Sequence, residues 1–213
     1  MLLNSIILIL QETLEAALLI GVLLAISVQL RNNHRWLWYG LSMGTIMASI
    51  FAFNMRSISE SFDYAGQEVL NSLMQSMICL FITLAVWLIS GLNQFQLGAW
   101  KIHGKYFGQL CGVIIMLAVI REGTEIILYL SGFLNASDHV QQVFIGSSIG
   151  FGIGASIGIL LFYGLLGLPA TWKKPATLTL LALFSGTMLS QSAVQLTQVD
   201  WIEQTAPLWD SSA

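Results

Sequence analysis

YFGQLCGVIIMLAVIREGTEIILYLSGFL, residues 106–134, is the stretch whose reading decides the fold. Apolar residues run on both sides of Arg121, Glu122 and Glu125. At about 1.5 Å per helical residue the stretch can cross roughly 30 Å of hydrocarbon. It therefore reads as a membrane span that carries charge near its middle.

The same arrangement recurs at the N-terminus, where Glu12 and Glu15 interrupt the apolar run from Met1 to Leu30. That run lacks a basic start and a small-residue cleavage site, so it is expected to be a retained helix and not a signal peptide. Further apolar blocks extend the pattern, and together they predict helices over residues 1–30, 36–55, 68–92, 106–134, 143–167 and 176–198. The connections hold the turn and breaker residues, among them Asn32-Asn33, Ser57 to Gly66, Asn93 to Gly104, Asn135 to Gln142 and Pro169 to Pro175. Of the 213 residues, 56% are hydrophobic and only 9% charged, whereas soluble domains carry about 25% charged residues. The expectation is an all-α polytopic membrane protein of about six transmembrane helices in a single domain, residues 1–213.

Basic residues are retained in short cytoplasmic loops. Arg31 and Arg35, Lys101 and Lys105, and Lys173 and Lys174 mark the first, third and fifth connections. The second and fourth connections and the tail hold Glu60, Asp63, Asp138, Asp200, Glu203 and Asp210, with Arg56. Both termini are thus expected outside, and the first and fourth helices should run in opposite directions. That is the layout of a 3+3 inverted repeat, with halves of about 1–92 and 106–198 and an outer tail at 199–213. Gly40 and Gly44 in the second helix, and Gly150, Gly154 and Gly158 in the fifth, suit close helix packing. The string GFGIGASIG lies inside a span with no strand before it, which argues against a nucleotide loop.

Each intramembrane carboxylate costs about 2.5 to 3.5 kcal/mol on insertion scales, so four represent on the order of 10 kcal/mol before pairing. Glu12 and Glu15 are three residues apart, about 60° around a helix, and Glu122 and Glu125 repeat the spacing. In opposed helices both pairs reach a similar depth, where four carboxylates repel unless protons or a cation neutralise them. An oxygen-preferring cation such as ferric iron, or ferrous iron or manganese, suits that set. A purely structural role would leave protonated glutamates, with Arg121 pairing Glu125 at i, i+4.

In the third helix Glu68, Asn71, Ser72, Gln75, Ser76, Cys79 and Thr83 form a polar stripe, and Gln191, Gln195 and Gln198 do so in the sixth. Two accounts stay open, an outer vestibule leading to the glutamates or a hydrogen-bonded seam between helices. Cys79 and Cys111 are expected to be reduced structural thiols. Met74, Met77 and Met116 read as packing, and His34, His103 and His139 as surface residues. Trp36, Trp38, Trp172, Trp201 and Trp209 are placed as interfacial anchors. No HExxH, cofactor loop or nucleophile with a base is present, so no enzymatic activity and no cofactor are expected.

REGTE at Arg121 to Glu125 resembles the REGxE signature of the oxidase-coupled iron permease family, which includes bacterial EfeU-like iron transporters and related lead permeases. QETLEAALLIGVLLA at Gln11 to Ala25 resembles that family's first copy, REGLEAALIVG. QEVLNSL in the third helix, and LTQVDW followed by PLWD near the end, extend the likeness over the whole chain. The resemblance implies iron transport across the cytoplasmic membrane, with iron as substrate. Glu12, Glu15, Glu122 and Glu125 become the metal-binding set, and Arg121, Glu68 and Gln11 accessory residues. It also implies an extracytoplasmic partner that oxidises or delivers iron, leaves a homo-oligomer open, and gives no role to nucleic acid. Gln11 stands where the first motif has arginine, Thr13 where it has glycine, and Asn71 where many relatives carry an acid. The seventh helix of relatives is not found before Ala213. Besides an iron permease, the readings kept are a carrier of lead or manganese and a non-transporting metal-sensing or partner-binding subunit. For a permease, rocking of one three-helix half against the other is the expected form of alternating access.

Overall fold

The computed structural model describes residues 2–30, 32–62, 65–91, 100–134 and 140–201. Among them the chain forms α-helices and no strand: α1 (Leu2–Gln29), α2 (Arg35–Ser61), α3 (Gly66–Gly91), α4 (Trp100–Leu134), α5 (Val140–Gly167) and α6 (Ala170–Gln198). All of these except α4 are long and apolar enough to cross a membrane. The exception carries Arg121, Glu122 and Glu125 and packs against α1, α2 and α3. The protein is an all-α polytopic membrane protein.

Several helices outrun the apolar blocks. α2 continues to Ser61, α4 starts at Trp100 and α6 starts at Ala170. Polar residues past the hydrocarbon are acceptable helix formers, so a ladder begun in the membrane continues beyond it. In α6 the carbonyl of Pro169 accepts from the N–H groups of Trp172 and Lys173 at 2.9 and 3.1 Å. Pro175 lies inside that helix and removes one ladder bond near its start. Arg31, Asp63, Asp138, His139, Glu203, Trp209 and Asp210, which bear on the loop-charge and anchor readings, lie outside the described residues.

Contacts between side chains set the helix directions. Ser5 of α1 bonds Tyr129 of α4 at 2.8 Å, and Glu15 of α1 bonds Arg121 of α4 at 3.1 Å, so the number on α4 falls as that on α1 rises. These two helices are antiparallel, as the loop charges predict. α3 and α6 are also antiparallel, because Ser72 meets Ser192 at 2.8 Å and Cys79 meets Ser185 at 3.2 Å. α1 runs parallel to α5, and α2 parallel to α4. Exchanging α1–α3 for α4–α6 carries every one of these pairings into another: α1 with α5 becomes α4 with α2, and the other two pairs map onto themselves.

Small residues make the parallel pairs tight. A Cβ added to Gly150 would lie 2.6 Å from the Ile6 carbonyl oxygen, and one on Gly158 would lie 2.7 Å from the Cβ of Ala17. On the other pair, a Cβ on Gly40 would come within 2.8 Å of the Gly112 carbonyl oxygen. No flexible side chain end is available to give way at these points. Gly158→Leu is expected to destabilise the protein by about 1 to 3 kcal/mol through overpacking, read as a lower melting midpoint in detergent. Gly152, with nothing within 4 Å, supplies the control: Gly152→Ala should leave that midpoint the same or higher.

The core occupies one side of the glutamate level. Leu19, Leu23, Ile78, Ile82, Ile114, Ile115 and Leu181 have essentially no exposed surface and belong to one cluster. They follow the glutamates in α1 and precede them in α4, so they seal the end where α1 stops and α4 begins. Trp36 joins that cluster and donates from Nε1 to Ser27 Oγ at 3.0 Å. It is a buried clamp between α1 and α2, which corrects its reading as an interfacial anchor; Trp38, Trp172 and Trp201 are exposed.

Candidate metal site between α1, α3, α4 and α6

Helical spacing puts Glu12 and Glu15 on one sector of α1 and Glu122 and Glu125 on one sector of α4, and antiparallel packing turns the sectors toward each other. Arg121 stands at the junction. Its Nη1 donates to Glu15 Oε2 at 3.1 Å and forms an ion pair with Glu122 Oε1 at 2.9 Å, so one nitrogen bridges the two helices. Glu12 and Glu125 also lie within electrostatic reach of the guanidinium. Arg121, Glu122 and Glu12 are 6%, 3% and 7% exposed, so the charges interact across a medium far less screening than water.

The remaining contacts differ from one glutamate to the next. Glu12 and Glu122 meet carboxyl to carboxyl, an approach that needs a proton or a cation between them. Glu125 accepts from Asn71 Nδ2 at 2.7 Å. The side chain that helical spacing assigns to Arg121, Glu125, is therefore not its partner; the tertiary contact to Glu15 and the adjacent Glu122 hold the guanidinium instead. Gln191 Nε2 approaches Glu15 Oε1 at 3.4 Å, and Gln75 Nε2 donates to Gln191 Oε1 at 2.9 Å. Each motif glutamate one turn from the central pair is thus oriented by an amide from α3 or α6.

The polar stripe of α3 proves to be largely a seam. Ser72 and Ser76 bond Ser192, while Cys79 and Thr83 bond Ser185. Ser185, Ser192 and Met188, whose sulfur accepts from Arg121 at 3.6 Å, are site or seam residues that sequence reasoning passed over. Gln191 was the available signal, because residues 185, 188 and 192 lie within two turns of it on the same side of α6. At the other end of the stripe Glu68 keeps a buried oxygen, Oε2, without a hydrogen-bond partner, as does Gln195 with Oε1. Gln11 is exposed, and His34 is exposed at the start of α2. Cys79 and Cys111 are free thiols.

Several acceptors at the glutamate level also lack a donor. Glu12 Oε2, Glu122 Oε2 and Gln75 Oε1 are buried without a hydrogen-bond partner. Such oxygens are suited to a cation or to water. Among the described residues no three His, Cys, Asp or Glu side chains converge closely enough to enclose a metal ion directly. The arrangement offers carboxylate and amide oxygens from four helices, which fits a hard cation that keeps part of its water.

Comparison with known proteins places these residues in context. The chain matches the model of the family described as the iron permease FTR1 family over residues 2–206. Neither the curated proteins nor the solved structures searched contain a match.

Proposed function

Because the chain belongs to the iron permease FTR1 family, a family of transporters, we propose that it carries iron across the cytoplasmic membrane by way of Glu12, Glu15, Glu122 and Glu125. The observation that carries this reading is the meeting of both glutamate pairs around Arg121, from antiparallel helices, at one level of the bundle. The carboxylates supply hard oxygen ligands, and Asn71, Gln75 and Gln191 orient them. A cation that enters among these carboxylates offsets their mutual repulsion.

The apolar cluster blocks passage toward the end where α1 stops. An ion therefore enters from the end where α1 starts, past Glu68 and Gln195, the outer side if both termini face out. In this reading the two three-helix halves form one transmembrane domain. An extracytoplasmic protein that oxidises or delivers iron would supply the ion, and Glu68 would receive it first.

Uptake of radioactive iron into liposomes containing this chain alone tests the proposal. Saturable accumulation above protein-free liposomes is expected. No accumulation, with metal still bound by the purified chain, would point instead to a non-transporting metal-binding subunit. Competition by manganese and lead in the same assay measures how far the site distinguishes cations of similar charge.

A further inference from the structure

The exchange of α1–α3 for α4–α6 takes Glu12 to Glu122 and Glu15 to Glu125, as the aligned strings QETLE and REGTE show. Carried along the two helices, it takes Ser5 to Ile115 and Leu19 to Tyr129. Helix packing keeps the same correspondence. A Cβ on Gly146 of α5 would lie 2.7 Å from the Leu2 carbonyl oxygen and 2.9 Å from Ser5 Cβ, and one on Gly40 of α2 would lie 2.8 Å from the Gly112 carbonyl oxygen and 3.4 Å from Ile115 Cβ. Ser5 and Ile115 thus occupy equivalent places by sequence and by contact. Three levels lie along the antiparallel seam of α1 and α4. In the middle Glu12 meets Glu122, a pair that the exchange maps onto itself. About two helical turns toward the start of α1, Ser5 bonds Tyr129 at 2.8 Å. Two turns the other way, the register sets Leu19 level with Ile115, and both belong to the apolar core with essentially no exposed surface. Equivalent positions on either side of the glutamates therefore hold a hydroxyl pair at one end and an aliphatic pair at the other.

We propose that the Ser5–Tyr129 hydrogen bond is a latch that closes the end of the α1–α4 seam where α1 starts, the counterpart of the Leu19 and Ile115 plug at the opposite end. Glu12 and Glu122 are over nine-tenths buried between the two closures. The closures differ in what water does to them. When the latch parts, the water that enters can bond both hydroxyls, so little is lost on opening. When the plug parts, two aliphatic side chains meet water and nothing compensates them. The latch is therefore the end that opens first, on the side from which the ion approaches. Its two members are held from behind: the tight approach of Gly146 backs Ser5, and the ring of Tyr129 lies 5.0 Å from that of Phe133. Their hydroxyls alone reach across the seam. The proposal rests on the permease reading for the need to open both ends, but its own claim is which side chains hold one end shut.

Carboxyl labelling of the full-length chain tests the latch without iron. A quaternary-ammonium carbodiimide, which does not cross a bilayer, is applied with glycinamide to one face or the other of membrane vesicles. Peptide mass spectrometry then gives the rate at which Glu12 and Glu122 become amides. Tyr129→Phe, which keeps the ring against Phe133, and Ser5→Ala each remove the bond. Each should raise the rate from the face where α1 starts by about threefold to tenfold. From the opposite face the rate should stay the same or fall, because the plug there is untouched. The double variant should go no further than the faster single one, since both substitutions act on one bond. A rise from both faces, which general loosening of the bundle would give, additive effects in the double variant, or unchanged rates in both single variants would each overturn the proposal. If the wild type carries iron into liposomes while Tyr129→Phe labels as the wild type does, the latch fails and the permease reading stands. If the variants label as expected and the wild type carries no iron, the latch stands and the permease reading fails.

Discussion

Replacing Glu125 with glutamine is expected to lower iron uptake into liposomes by on the order of a hundredfold while leaving the protein folded. Glu125 is partly exposed and held by one neutral donor, Asn71 Nδ2 at 2.7 Å. A glutamine at this position keeps an acceptor oxygen for that donor and is close to isosteric, so the change in stability should stay within about 1 kcal/mol. The lost negative charge is a different matter. A partly dehydrated cation receives little from an amide in place of a carboxylate, because a hard ion is held mainly by charge and oxygen donors. Uptake should fall while the melting midpoint and the elution profile in detergent stay near those of the wild type. Undiminished uptake by this variant would remove Glu125 from the pathway.

Arg121→Met is expected to do the reverse, acting first on the fold. The Arg121 side chain is 7% exposed, and its Nη1 alone holds Glu15 Oε2 and Glu122 Oε1. Removing one partner from a buried ion pair leaves uncompensated charge, at a cost on the order of 3 to 5 kcal/mol. Part of that cost is relieved if the orphaned carboxylates take up protons, so the loss should be smaller in acid than at neutral pH. Arg121→Lys provides the discriminating comparison. A single nitrogen makes both contacts, a hydrogen bond to Glu15 and an ion pair with Glu122, and an ammonium can do the same where a fork-shaped contact would exclude it. Lysine should therefore recover more than half of the stability lost in Arg121→Met, measured by thermal unfolding in detergent. Equal losses in the methionine and lysine variants would show that packing against Met188, and not charge, is what Arg121 contributes.

Much of this architecture is written in the order of residues. Long apolar blocks define the helices, and the alternation of basic and acidic connections predicts the antiparallel course of α1 and α4 that the Ser5–Tyr129 and Glu15–Arg121 contacts display. The three-residue spacing of the glutamates follows from helix geometry alone. What the sequence does not disclose depends on which helices become neighbours. Position 125 is one turn from Arg121, yet the guanidinium turns to Glu15, which is 106 residues away. The stripe on α3 is compatible with water or protein opposite it, and only the serines of α6 decide for protein. Those serines give little signal in a sequence, since small hydroxyls are ordinary in membrane helices. Trp36 has the position of an anchor at a span end, but Ser27 offers its N–H a buried partner and the ring follows.

The tight parallel pairs bear on how an alternating-access carrier of this design could move. A rocking motion between residues 1–92 and 106–198 would have to slide α1 along α5 and α2 along α4, where glycine faces lie against the backbone of the partner helix with no slack. Those contacts behave as welds. The seam of exchangeable hydroxyls between α3 and α6 is the surface whose partners can be traded at low cost, and the buried ionic junction between α1 and α4 stays intact. In an alternating-access carrier the moving bodies would then be two intertwined pairs, each built from both halves of the chain, that pivot about the glutamates while α3 and α6 slip past each other. Cross-linking α1 to α5 should leave such a carrier running, whereas pinning α3 to α6 should stop it.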